Sequence, residues 1–99
     1  MSFCVRFTSE AKSDIERLYG FLAKHDIVAA EKALGIIEYA WSLLEEFPFS
    51  CRKADDTNPF LRELVISFGN SGYVALFEVE SNHTVTVLAI RHQWEDDYH

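Results

Sequence analysis

The sequence predicts an α+β domain of order β-α-α-β-β-β, with a helical hairpin packed on one face of a small, antiparallel-rich sheet. Three observations predict it. Two stretches in the N-terminal half repeat apolar residues at helical spacing, with a short polar break between them. Three apolar runs in the C-terminal half are joined by turns too short for a crossover, so those strands must be antiparallel neighbours. A brief alternating run, Phe3 to Phe7, precedes the helices. The apolar stripe of a helical hairpin needs a partner, and one sheet face supplies it.

Phe3, Val5 and Phe7 alternate with Cys4 and Arg6, which predicts the first strand. Thr8 is placed as an N-cap, and Glu10 falls in the first turn, where the helix dipole favours an anion. Ala11, Ile15, Leu18 and Leu22 then mark an amphipathic helix over 9–24. Lys24-His25-Asp26 breaks it, and Asp26 is placed to cap the next helix. Ala30, Ala33, Ile37, Ala40 and Leu44 form the second stripe, widened by Leu34 and Trp41. The small residues Ala29, Ala30 and Ala33 permit close approach of the first helix. The second helix ends near Glu46, because Pro48 disfavours helix in the residue before it. Residues 47–60 hold Pro48, Asn58, Pro59 and paired charges, and are expected as loop. Strands are expected over Leu61–Phe68, Tyr73–Glu80 and Thr84–His92, with turns at Gly69-Asn70-Ser71-Gly72 and Ser81-Asn82-His83.

Ninety-nine residues fit one domain, 1–99, able to bury a modest core without disulfides or metal. A hydrophobic content of 48% with 14% aromatics is that of a folded chain. The opening residues are too short and too polar for a signal peptide, and no apolar run nears a membrane span, so a cytoplasmic location is expected. Two cysteines, Cys4 and Cys51, without CxxC spacing, argue against a disulfide framework or zinc site. Cys4 is expected to be a small buried hydrophobe in its strand.

The net charge of −7 is uneven. Region 8–47 holds four cations and eight anions, and Glu95-Asp96-Asp97 adds three more anions. Phosphate backbones attract basic surfaces, so this balance argues against strong direct binding of RNA or DNA. Four of the five remaining cations (Arg52, Lys53, Arg62, Arg91) lie in 52–91, which leaves room for a local basic cleft. His25, His83, His92 and His99 lack the i, i+4 helical spacing of a metal pair, and no metal or cofactor is expected. Neither a glycine-rich phosphate loop nor a nucleophile elbow is present.

The candidate functional residues cluster late in the chain. Arg62 shares a strand face with Leu64, Ile66 and Phe68. It can bury its stem and hold its head at the rim, either in an ion pair with Glu63, Glu78 or a tail acid, or against a partner. Arg91 and His92 sit at the end of the last strand, where a rigid sheet aims them. Alternation places Arg91 with Val85, Val87 and Ala89, and His92 with Leu88 and Ile90, so the two point opposite ways. Trp94 either folds back on the sheet or stands as an exposed aromatic anchor.

Three segments in order carry a family resemblance: Leu61-Arg62-Glu63-Leu64, Gly72-Tyr73-Val74-Ala75-Leu76-Phe77, and Ile90-Arg91-His92-Gln93 with Tyr98 after it. With the element order, they resemble the RelE/ParE toxin superfamily of bacterial toxin–antitoxin systems across essentially the whole chain. The C-terminal pattern is most similar to the ParE, or plasmid stabilisation, branch, although Trp94 stands where that branch is commonly basic. The resemblance implies a toxin that binds and poisons DNA gyrase, does no chemistry itself, and is neutralised by a cognate antitoxin. That antitoxin would wrap the helical hairpin and add to the sheet. The implied target contacts are Arg62, Arg91, His92, Trp94 and Tyr98, with the loop after the second helix. The alternatives are a ribosome-dependent mRNA endonuclease of the RelE type and an inactive relative that only binds an antitoxin. In the endonuclease, Arg62 and Arg91 would hold a phosphate and Tyr98 would stand near the reaction. Asp55, Asp56 and the acids around Tyr98 would repel an RNA backbone. A Tyr with a pKa of about 10 is also a poor general base.

Overall fold

A computed structural model describes residues 2–93. The chain folds as β1 (Cys4–Phe7), α1 (Ser9–Ala23), α2 (Ile27–Glu46), a single 3-10 turn (Pro48–Ser50), β2 (Arg52–Asp55), β3 (Asn58–Phe68), β4 (Ser71–Val79) and β5 (Thr84–His92). The five strands form one sheet of order β1-β5-β4-β3-β2. The hairpin of α1 and α2 carries the chain from one sheet edge to the other. The three following turns bring β5 back beside β1, which it meets parallel. The other pairs are antiparallel.

Both helices start where the sequence places caps. The Thr8 hydroxyl accepts from the Ala11 N–H (3.1 Å), and Asp26 Oδ1 accepts from the N–H groups of Val28 (3.0 Å) and Ala29 (3.1 Å). These bonds satisfy amides that the helix itself leaves open. Helix α2 closes with the Phe47 N–H donating to the Leu43 carbonyl, and Pro48 then starts the 3-10 turn. Ala11 and Leu18 from α1 and Ala33, Ile37, Ala40 and Leu44 from α2 pack on one sheet face. They meet Leu64, Ile66, Tyr73, Ala75, Phe77, Val79, Val85, Val87 and Ile90.

Three expectations are corrected. Residues 47–60 are not plain loop: they contain the 3-10 turn, strand β2 and the start of β3 at Asn58. All four residues of β2 are exposed, so no apolar alternation marked it. Its pairing to β3 is closed at the tip by Asp55, whose Oδ1 accepts from the Thr57 N–H and hydroxyl (2.9 Å each). Cys4 is exposed, not buried. On β1 the core side belongs to Val5 and Phe7, which pack against the core, and alternation turns Cys4 outward.

The third correction is the face of Arg91. Leu76 pairs with Ala89 but Phe77 pairs with Val87, so Leu88 is an extra residue in β5. Such a bulge shifts the alternation by one. Beyond it Ile90 and His92 join Val85 and Val87 on the helix side, and Arg91 takes the opposite face with Ala89. Arg91 and His92 do point opposite ways, but each on the other side from that expected.

Past the end of β1, three bonds tie the bulge to α1. The Thr8 N–H donates to the Val87 carbonyl (3.0 Å) and its hydroxyl to the Leu88 carbonyl (3.0 Å). The Ile90 N–H donates to Asp14 Oδ2 (2.8 Å). The N-cap Thr8 and the α1 side chain of Asp14 thereby replace the strand partner that β1 no longer supplies.

Candidate functional site

The end of β5 stands beside a cavity of about 580 Å³ between α1 and the β3–β4 hairpin. Leu18, Phe21, Leu22, Phe68 and Tyr73 supply apolar walls, and Arg17, Ser71 and His92 supply polar atoms. Its volume falls in the range of ligand and side-chain pockets. The His92 ring nitrogen Nε2 lies 3.1 Å from Ser71 Oγ, and the ring meets Tyr73 edge to face at 5.7 Å. Tyr73 stacks on Phe68 at 6.3 Å. Burial raises the Tyr73 hydroxyl above its ordinary pKa, so it stays a neutral hydrogen-bonding group. Arg17 at the rim lies 3.7 Å from Asp14.

Arg91 lies across the sheet from this cavity. Its Nη1 donates to the carbonyls of His92 (3.4 Å) and Gln93 (3.3 Å), and its strand partner is Val74.

Arg62 is part of the scaffold. Its Nε donates to the Pro59 carbonyl (2.7 Å), and its Nη1 donates to those of Cys51 (2.8 Å) and Phe49 (3.3 Å). The guanidinium also sits 5.2 Å from the Phe49 ring centroid. The planar fork thus braces the 3-10 turn and the entry to β2 against β3. Glu63 instead pairs with Arg52 at 2.9 Å, on the opposite sheet face. The structure brings Tyr73 and His92 together and keeps Arg62, Arg91 and His92 apart. Trp94 and Tyr98 lie outside the described residues.

A further surface escaped the sequence reading. Val28, Ile36, Tyr39, Leu43 and Phe47 are exposed along the outer side of α2, Tyr39 at 73% and Phe47 at 63%. A helix apolar on both sides asks for a second partner. The signal was there, since these residues keep helical spacing beside the core stripe. Asp14 was also passed over as one more helix anion; only the fold places it under β5.

The family model for the ParE toxin of the type II toxin-antitoxin system parDE matches residues 5–97. The chain belongs to this family. Among curated relatives, this ParE-family toxin is 34% identical over 95 residues to "Toxin RelE1" of Caulobacter vibrioides, covering 96% of this chain and 98% of the relative. Its fold is similar to a structure described as the chromosomal ParDE system from P. aeruginosa. The TM-score is 0.74 at 18% identity, over 92% of this chain and 96% of that one. It is also similar to the toxin–antitoxin complex RelBE2 from Mycobacterium tuberculosis. There the TM-score is 0.61 at 21% identity, over 94% and 100% of the two chains. The α+β architecture of two helices on a five-stranded mixed sheet is thus shared by ParE and RelE toxins, and the chain is a type II toxin of that superfamily.

Proposed function

We propose that this toxin arrests growth by binding DNA gyrase and trapping it on cleaved DNA, without chemistry of its own. One observation carries the choice over RNA cleavage: the basic candidates do not converge. An endonuclease gathers its cations and acid–base group around one phosphate. Here Arg62 pairs across from Phe77 on the helix side and is taken up by three carbonyls. Arg91 pairs with Val74 on the opposite face, and His92 returns to the helix side beside Tyr73. The net charge of −7 also disfavours an RNA backbone. Arg91, His92, Trp94 and Tyr98 remain the proposed target contacts, while Arg62 braces the 48–55 segment.

We infer that the neutralising partner is a cognate antitoxin whose amphipathic helix covers the exposed apolar side of α2. The exposed edge strand β2 would take an added strand. The relatives described as ParDE and RelBE complexes support this partner class. The test is a supercoiling assay with purified gyrase and antitoxin-free toxin. Linear, cleaved DNA is expected to accumulate, and Arg91→Ala is expected to weaken the effect while the fold is kept. Unchanged supercoiling by a folded sample would overturn gyrase as target; cleavage of ribosome-bound message would then establish the RelE-type activity.

A further inference from the structure

The chain leaves the sheet at the wall of the cavity beside His92. The Gln93 N–H donates to the Gly72 carbonyl (3.0 Å), and Ser71 and His92, the chain neighbours of that pair, both line the cavity. Trp94 comes next, its Cα about 3.8 Å from that of Gln93, which puts its indole within reach of the cavity. The walls there are apolar, with Leu18, Phe21 and Leu22 on the α1 side. The polar side chains among the described lining residues are Arg17, Ser71, Tyr73 and His92. Each can donate a hydrogen bond and none is a carboxylate. The Arg17 side chain is 47% exposed at the rim, so its charge faces solvent as well as Asp14. The segment after Gln93 has the matching chemistry: an indole followed by Glu95, Asp96 and Asp97.

We propose that the chain fills this cavity itself: the Trp94 indole enters between α1 and the β3–β4 hairpin, and the acids that follow it meet Arg17. Docking takes the indole and the apolar walls out of water together. The acids gain a cation at the rim, where an acidic surface would repel them. Tethering decides between this segment and a foreign side chain. A group joined to its site by a short stretch of chain acts at an effective concentration of about millimolar, and a foreign aromatic must compete with that. Docked, the indole is withheld from a target, and target binding must draw it out. That consequence rests on the reading of Trp94 as a target contact; the docking itself does not depend on gyrase.

The test uses the whole chain carrying Trp41→Phe, which leaves Trp94 as the single indole and keeps a ring against Phe7. Its fluorescence is expected to lie to the blue of that of the urea-unfolded chain, and nuclear Overhauser contacts are expected from the indole ring to Leu18, Phe21 and Leu22. Arg17→Gln is expected to raise the undocked share by up to about fivefold, the size of an exposed ion pair, read from acrylamide quenching. Phe21→Ala, which removes a wall that is itself 65% exposed, is expected to raise it as well. Solvent-like emission from the folded chain would overturn the proposal. So would indole contacts to Val74 and Ala89 on the opposite sheet face, or quenching that neither substitution changes. No gyrase enters these measurements, so their failure would leave the proposed target standing, and unchanged supercoiling would leave a docked indole standing.

Discussion

Asp14 is the residue whose removal most sharply tests how the fold is held. Its carboxylate is buried, 1% exposed, and accepts from the Ile90 N–H at 2.8 Å. That amide lies beyond the end of β1, so no neighbouring strand replaces the acceptor. Asp14→Ala leaves a buried N–H unsatisfied and loses a charge-assisted bond, which costs about 2–3 kcal/mol. The contact with Arg17, at 3.7 Å and with Arg17 47% exposed, adds at most about 1 kcal/mol. For a domain of this size a loss of 1 kcal/mol lowers Tm by roughly 4–8 °C, so losing the buried bond alone is expected to lower Tm by roughly 8–24 °C. Asp14→Asn keeps an acceptor oxygen and is expected to lose about 1 kcal/mol. Thermal melts followed by circular dichroism give the stabilities. Hydrogen exchange at Ile90 locates the effect, since that amide should lose protection before those of Ala75 or Phe77. An Asp14→Ala protein melting within about 2 °C of the parent would refute the reasoning, as would unchanged protection at Ile90.

Other perturbations test other links. A Cβ at Gly72 would collide with the Ile66 carbonyl across the β3–β4 pair. Gly72→Ala is therefore expected to cost about 1–3 kcal/mol in a urea titration, and a neutral result would mean the hairpin register is wrong. Arg62→Ala is expected to cost about 1.5–3 kcal/mol and to expose residues 48–56 to limited proteolysis; Arg62→Lys should rescue little, because a point charge cannot bridge three carbonyls. Burial raises the Tyr73 hydroxyl and the Cys51 thiol, the latter against a smaller opposing pull from Arg62. Both groups hold protons more tightly folded than unfolded. Stability should be full below about pH 8.5 and fall as pH rises beyond it. Tyr73→Phe should blunt that fall, and urea midpoints that stay level to pH 10.5 in the parent would contradict it. With a thiol reagent at neutral pH, Cys4 should react quickly and Cys51 slowly, since Cys4 is exposed while Cys51 packs against the core and its thiolate is disfavoured. Equal rates would count against the register of β1.

Much of this protein was legible in its residues because the signals were local. The caps Thr8 and Asp26, the helical stripes through Leu18 and Leu44, and the limits of β5 from Thr84 to His92 each follow from a few neighbours along the chain. The three motif segments and the element order were enough to place it among ParE-type toxins. Tertiary structure decided the rest. Strand β2 exists only because β3 pairs with it, since its four exposed residues carry no pattern of their own. The parallel meeting of β1 and β5 joins residues 80 apart. The extra residue Leu88 exchanges the faces of Arg91 and His92, and alternation along one strand cannot see a bulge that exists only in its pairing with β4. Arg62 read as a rim charge until three carbonyls were found around it. Sequence fixes which faces are apolar and where elements begin, because those depend on short-range geometry. Which charged group ends beside which backbone atom depends on distant segments meeting, and only the folded chain settles it.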